Sequence, residues 1–97
     1  DDGLLHVENG LVLFRDRCVA FPTAADARKD VLMLTDLYLI LCEQEESLGR
    51  AESVIRALLV AIQPVVEQNP DNYALAEMFS TLETYLHEVE KNLASAK

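Results

Sequence analysis

The chain has 97 residues, enough for one small domain, and 51% of them are hydrophobic, so it can build a core. Its formal net charge is −9. The charge is uneven, because residues 30–90 carry twelve acidic residues against two basic ones, Arg50 and Arg56. Nucleic acids and anionic membranes both need a basic surface, so we expect neither as a partner. An acidic surface keeps a small protein in solution or attracts a basic or amphipathic protein.

Residues 1–22 are predicted to form a β-hairpin. Asn9-Gly10 separates two short apolar runs, residues 4–7 and 11–14, and this dipeptide favours a tight two-residue turn. Residues 18–21 are a candidate third strand, which would extend the hairpin into a small meander that ends at Pro22.

A long helix is predicted over residues 23–68. Thr23 is the expected N-cap, with Asp26 three positions later as in a weak capping box. A seam with steps of three and four then continues for more than four heptads, which favours one continuous helix. The seam consists of Leu34, Leu37, Leu41, Gln44, Leu48, Ala51, Ile55, Leu58, Ile62 and Val65. Gln44 is its polar member and a candidate for fixing the register of a helical dimer.

Gly49 supports an alternative to the continuous helix. Glycine is unfavourable inside a helix and often marks a helix end. A break at Gly49 would give a monomeric three-helix bundle capped by the hairpin. The continuous helix instead leaves apolar surface for a second copy, so we expect a dimer.

The last helix is predicted over residues 69–97, with Asn69 as N-cap and Pro70 at the first helical position. The short turn before it predicts antiparallel packing on the preceding helix. Its apolar residues step by four and three: Leu75, Phe79, Leu82, Leu86, Val89 and Leu93. The predicted fold is therefore a single, mainly α domain over residues 1–97, with an N-terminal β-hairpin, that dimerises as a helical bundle.

No residue is assigned a catalytic, cofactor-binding or metal-binding role. Glu83, His87 and Glu90 share one face of the last helix, as metal ligands do, but no second helix repeats the pattern. Glu43, Glu45 and Glu46 are interpreted as a solvated charge run. At i, i+4 spacing, Arg50 is expected to pair with Glu46 and Arg56 with Glu52.

Cys18 and Cys42 are too few for a disulfide framework and lie in apolar runs, so we expect reduced, buried thiols and a cytoplasmic location. The apolar runs 31–35 and 37–42 are interrupted by Asp36 and are too short for a membrane span.

The leading functional hypothesis is a small acidic protein-binding or oligomerisation module, an adaptor, chaperone-like or inhibitory protein without catalysis. The alternatives are a structural oligomerisation domain cut from a larger protein and a helical protein that binds a metal or small molecule. Shape alone would not decide between them.

Overall fold

Four α-helices form the fold in a computed structural model that describes residues 2–95. They are α1 (Asp2–Ala20), α2 (Ala25–Gln44), α3 (Leu48–Gln68) and α4 (Tyr73–Ser95). No described residue lies in a β-strand. The helical bundle is confirmed, and the predicted N-terminal β-hairpin is wrong.

Helix α1 occupies the segment that was predicted to be β-structure. Its apolar residues follow a helical spacing, because Leu4, Leu11 and Cys18 are buried at seven-residue intervals and Val7 and Phe14 pack between them. The short apolar runs on either side of Asn9-Gly10 suggested strands, but the longer helical period buries more side chains. Tertiary packing thus overrides the turn preference of Asn-Gly.

Gly10 has a packing role within α1 and does not form a turn. A Cβ atom at this position would lie 3.0 Å from Leu34 Cδ2 on α2. Its φ is not positive, unlike the left-handed backbone that a hairpin turn would require. The missing side chain therefore leaves room for the Leu34 methyl group between α1 and α2.

The long helix is broken at residues 45–47, so the prediction of continuity is also wrong. Glu46 has a φ of 54°, in the left-handed region. The Ser47 amide donates to the Cys42 carbonyl (2.7 Å) and the Glu46 amide to the Glu43 carbonyl (3.2 Å), which are the two hydrogen bonds of a Schellman motif. Gly49, where the alternative prediction placed the break, lies inside α3.

The break changes which residues of the predicted seam are buried. In α3 the seam is correct, and Ala51, Ile55, Leu58, Ile62 and Val65 are all buried. In α2 a different line of residues faces the core: Ala27, Val31, Thr35, Tyr38 and Cys42. The common phase of the two segments is therefore a coincidence of spacing and does not indicate one helix.

Helix α4 confirms the predicted C-terminal helix over its described part, and all six predicted apolar residues belong to the core or pack against it. Residues 96 and 97 lie outside the described residues. The predicted caps are wrong. Asn72 Oδ1 accepts a hydrogen bond from the Leu75 amide at the start of α4, and Ala24 precedes α2 without a side-chain cap.

The helices form two antiparallel hairpins that pack on each other. Arg17 contacts Asp26 where α1 meets α2, and Arg56 contacts Glu90 where α3 meets α4. Helices α2 and α3 also contact each other, and α1 and α4 lie on opposite edges without packing together over the described residues. One cluster of buried side chains from all four helices forms the core.

The Asn9→Ala variant distinguishes the helix from a hairpin turn. Asn9 is exposed in α1, so alanine should raise the free energy of unfolding by about 0.5 kcal/mol through helix propensity. Urea unfolding measures this change. A loss of stability would instead support a turn at Asn9-Gly10.

The Glu46→Gly variant tests the left-handed residue between α2 and α3. Glycine adopts this backbone without steric cost, so the free energy of unfolding should rise by roughly 1 kcal/mol. Glu45→Gly is the matched control, because Glu45 has a φ of −98° and gains nothing from glycine. Equal effects of the two variants in thermal unfolding would contradict the assignment.

Candidate functional site

A charged contact joins three helices near the end of the bundle where α2 turns into α3. Glu8 of α1 accepts hydrogen bonds from the Tyr38 hydroxyl of α2 and from the Arg50 guanidinium of α3. The Arg50 contact is bidentate, with 2.9 Å between its second nitrogen and Glu8 Oε1. Arg50 therefore pairs with Glu8 and not with Glu46, as was predicted.

The contact changes the titration of both acidic partners. The hydrogen bonds from Arg50 hold the pKa of Glu8 below its ordinary value of 4.5. Burial raises the pKa of Tyr38 far above its usual range, and the Glu8 carboxylate that accepts its proton adds to the effect. Tyr38 thus stays a hydroxyl donor and Glu8 an ionised acceptor, which makes this cluster a structural joint.

Cys18 and Cys42 are both free and buried, as predicted from their apolar surroundings. They lie near the C-terminal ends of the antiparallel helices α1 and α2, and therefore at opposite ends of the first hairpin. Burial raises the pKa of each thiol, so the reactive thiolate is disfavoured. Neither thiol has the environment of an activated nucleophile.

The residues that the sequence singled out on α4 do not form a ligand set. Glu90 is engaged by Arg56, and Glu83 and His87 are exposed. Among residues 2–95 no group of three histidines, cysteines or carboxylates is placed to hold a metal ion.

Other predicted surface roles have mixed outcomes. The Arg56 guanidinium lies 3.6 Å from the Glu52 carboxylate, which confirms the predicted pair. Gln44 is exposed at the end of α2 and so does not lie in the core of the single chain. Tyr38 is fully buried, and Tyr73 is 78% exposed.

A surface cavity of about 540 Å³ lies between the 21–24 and 69–72 loops. The Arg28 guanidinium and the Asn72 amide both donate to the Pro22 carbonyl there. These hydrogen bonds brace the two loops against each other. The polar lining therefore has a structural explanation.

The exposed apolar residues are concentrated on the first hairpin. Ten large hydrophobic residues are exposed among those described, and seven belong to α1 and α2 although α3 and α4 are longer. We call these seven the hairpin face: Leu5, Val12, Leu13, Val19, Met33, Leu37 and Ile40. Its most exposed members are Leu13 (70%) and Met33 (67%). Such a concentration is typical of an interaction surface.

The hairpin face has two sides that meet across α1. Leu5, Val12 and Val19 each follow a buried residue of α1 and lie toward α3, the side on which Glu8 meets Arg50. Leu13 lies on the opposite side, between Gly10 and Arg17, which both contact α2. Leu13 therefore lies on the side of α1 that is next to α2.

Helix α2 contributes a narrow exposed stripe of its own. Met33, Leu37 and Ile40 are spaced by four and three, so they lie in line along one face, and we call them the α2 stripe. Leu37 was predicted to belong to the core seam, whereas 45% of that residue is exposed.

We compared the chain with known proteins. No family model, curated protein or solved structure matches the chain. Within residues 2–95, every helix is too short or too polar to traverse a lipid bilayer.

The Glu8→Gln variant tests the joint between the three helices. It removes the ion pair with Arg50, so the free energy of unfolding at neutral pH should fall by about 1–2 kcal/mol. Because the folded pKa of Glu8 lies below 4.5, its stabilisation is present above that value and is lost as the pH falls through the folded pKa. Wild type should therefore lose more stability than the variant between about pH 6 and about pH 3.

Glu90→Gln is the control, because Glu90 belongs to an exposed pair with Arg56 that contributes little to stability. Urea midpoints across this pH range measure all three proteins. A wild-type profile that matches Glu8→Gln would contradict a special role for Glu8.

Proposed function

We propose that this protein is a small acidic protein-binding module, an adaptor, chaperone-like or inhibitory protein, and that the hairpin face is its binding surface. The observation that carries the proposal is the concentration of exposed large hydrophobic residues on α1 and α2. On the second hairpin only Val60 and Tyr73 are comparably exposed among the described residues. Burying apolar area against a partner is the main source of affinity in such modules.

The hydrogen bonding of the polar side chains supports a binding function over a catalytic one. The groups that converge most closely, Glu8, Tyr38 and Arg50, satisfy one another inside the joint. Their pKa shifts favour the ionised carboxylate and the protonated hydroxyl, which opposes proton exchange between them. These side chains serve to hold the hairpin face in position.

We propose a reducing compartment such as the cytoplasm. The support is the pair of buried free thiols, Cys18 and Cys42, which lie at opposite ends of one hairpin. Self-association is one form of protein binding that the hairpin face would allow, and the dimer that the sequence predicts stays a prediction.

Affinity capture with paired variants tests this function. Leu13→Gln/Leu37→Gln removes two members of the hairpin face, and Val60→Gln/Tyr73→Gln removes two exposed hydrophobic residues of the second hairpin. We expect at least one protein of the source organism to be retained by wild type and by the second-hairpin variant, and lost by the hairpin-face variant. The loss should reach about tenfold, the equivalent of about 1.4 kcal/mol.

The retained protein is then purified and its binding measured by titration calorimetry with all three forms. Helicity and cooperative unfolding establish that the variants are folded. An identical set of captured proteins for wild type and the hairpin-face variant would reject the proposal.

A further inference from the structure

The carboxylates along one side of the α2 stripe are not paired with basic residues in the described part of the chain. Asp36 and Glu43 lie seven residues apart, so they form a line along one edge of the stripe. Both are exposed and neither has an ion-pair partner among the described residues. The stripe is thus apolar along its centre and uncompensated negative along one edge.

The dipoles of α2 and α3 act differently on the carboxylates near the turn between the two helices. Glu43 lies in the last turn of α2, where the helix dipole is negative, and that turn has no basic residue. Glu45 and Glu46 lie just before α3, whose positive N-terminal end stabilises carboxylates. Glu43 therefore has neither an ion-pair partner nor a favourable helix end within the described residues. Lys29 continues the same edge toward the start of α2 and confines the negative region to its second half.

We infer that the α2 stripe binds a basic amphipathic helix of another protein, with the partner's Lys or Arg residues beside Asp36 and Glu43. The inference rests on the proposed function and adds the chemistry of the partner. An amphipathic helix offers apolar residues at three- and four-residue spacing, the same spacing as the stripe. Leu13 of α1 lies on the side of the stripe that is next to α1, and Asp36 and Glu43 form the charged edge.

A second copy of this chain is a poorer occupant by the same electrostatic criterion. Each chain carries a net charge of −9. An antiparallel pairing of two α2 stripes about their centre would place Asp36 opposite its own symmetry mate and Lys29 opposite the mate's Glu43. The Asp36 repulsion and the overall repulsion between two acidic chains would therefore remain. A basic helix would instead relieve the repulsion along the edge.

Two synthetic helical peptides of about 18 residues, long enough to cover the stripe at 1.5 Å per residue, provide the probe. Both carry the same leucine stripe, and one has lysine at every flanking position where the other has glutamate. Fluorescence anisotropy measures their binding to the full chain at ~0.05 M and ~0.3 M salt. We expect binding of the lysine peptide only, and weaker binding at the higher salt.

Matched variants localise the binding. Asp36→Asn/Glu43→Gln neutralises the charged edge, and Glu83→Gln/Glu88→Gln removes two exposed, unpaired carboxylates from α4. The first should weaken the lysine peptide by about tenfold or more, and the second should change it less than about twofold. Met33→Gln/Ile40→Gln should abolish binding, because it removes the apolar centre of the stripe.

Three results would overturn the inference. An equal loss in both carboxylate variants would mean that the lysine peptide responds to net charge alone. Binding of the glutamate peptide as tightly as the lysine peptide would leave the hairpin face as a binding surface but remove the charge requirement. A monomer that binds neither peptide would exclude a helix on the stripe, and the capture experiment would still decide the proposed function.

Sedimentation velocity on the same samples detects the competing occupant. A doubled mass that Leu37→Gln abolishes would place a second copy on the stripe, which supports protein binding and rejects the basic partner. A single-chain mass with the expected peptide results supports the inference in full.

Discussion

The left-handed backbone of Glu46 reverses the chain after α2 and returns Arg50 to the carboxylate of Glu8. Without that reversal α2 and α3 would be one rod, and Arg50 would lie beyond the end of α1. The two hydrogen bonds of the turn satisfy carbonyl groups that the end of α2 would otherwise leave unpaired. The joint among Glu8, Tyr38 and Arg50 depends on this turn. The placement of α1 beside both α2 and α3 depends on it as well.

The sequence predicted the second hairpin better than the first, and the reason lies in how sharply each helix separates its faces. In α3 and α4 the apolar residues keep to one side, so their spacing identifies the buried residues correctly. In α1 and α2 apolar residues occur on several sides, so a local signal such as Asn9-Gly10 outweighed a weaker period. The left-handed turn at Glu46 had no glycine to mark it, and Gly49 lay three residues away inside a helix.

The same ambiguity that made the first hairpin difficult to predict also supports the binding role proposed for it. A helix with apolar residues on both its inner and outer sides is difficult to assign from spacing alone, and it exposes apolar surface after folding. The site could be anticipated only in part. The apolar excess of residues 31–42 was visible in the sequence, whereas Leu37 on the outside and Tyr38 on the inside required the rotation of α2 that its neighbours impose.

The two buried thiols can be used to measure how often each end of the first hairpin opens. Cys18 lies at one end of that hairpin and Cys42 at the other, and each is shielded from reagents while its end stays closed. Their modification rates under native conditions report the free energy of opening at each end separately. Cys42 lies beside the Tyr38 hydroxyl and next to the turn, and Cys18 lies near the exposed Arg17–Asp26 pair. If a bound partner orders the hairpin, the modification rates of Cys18 and Cys42 would therefore fall, and each rate would report on its own end.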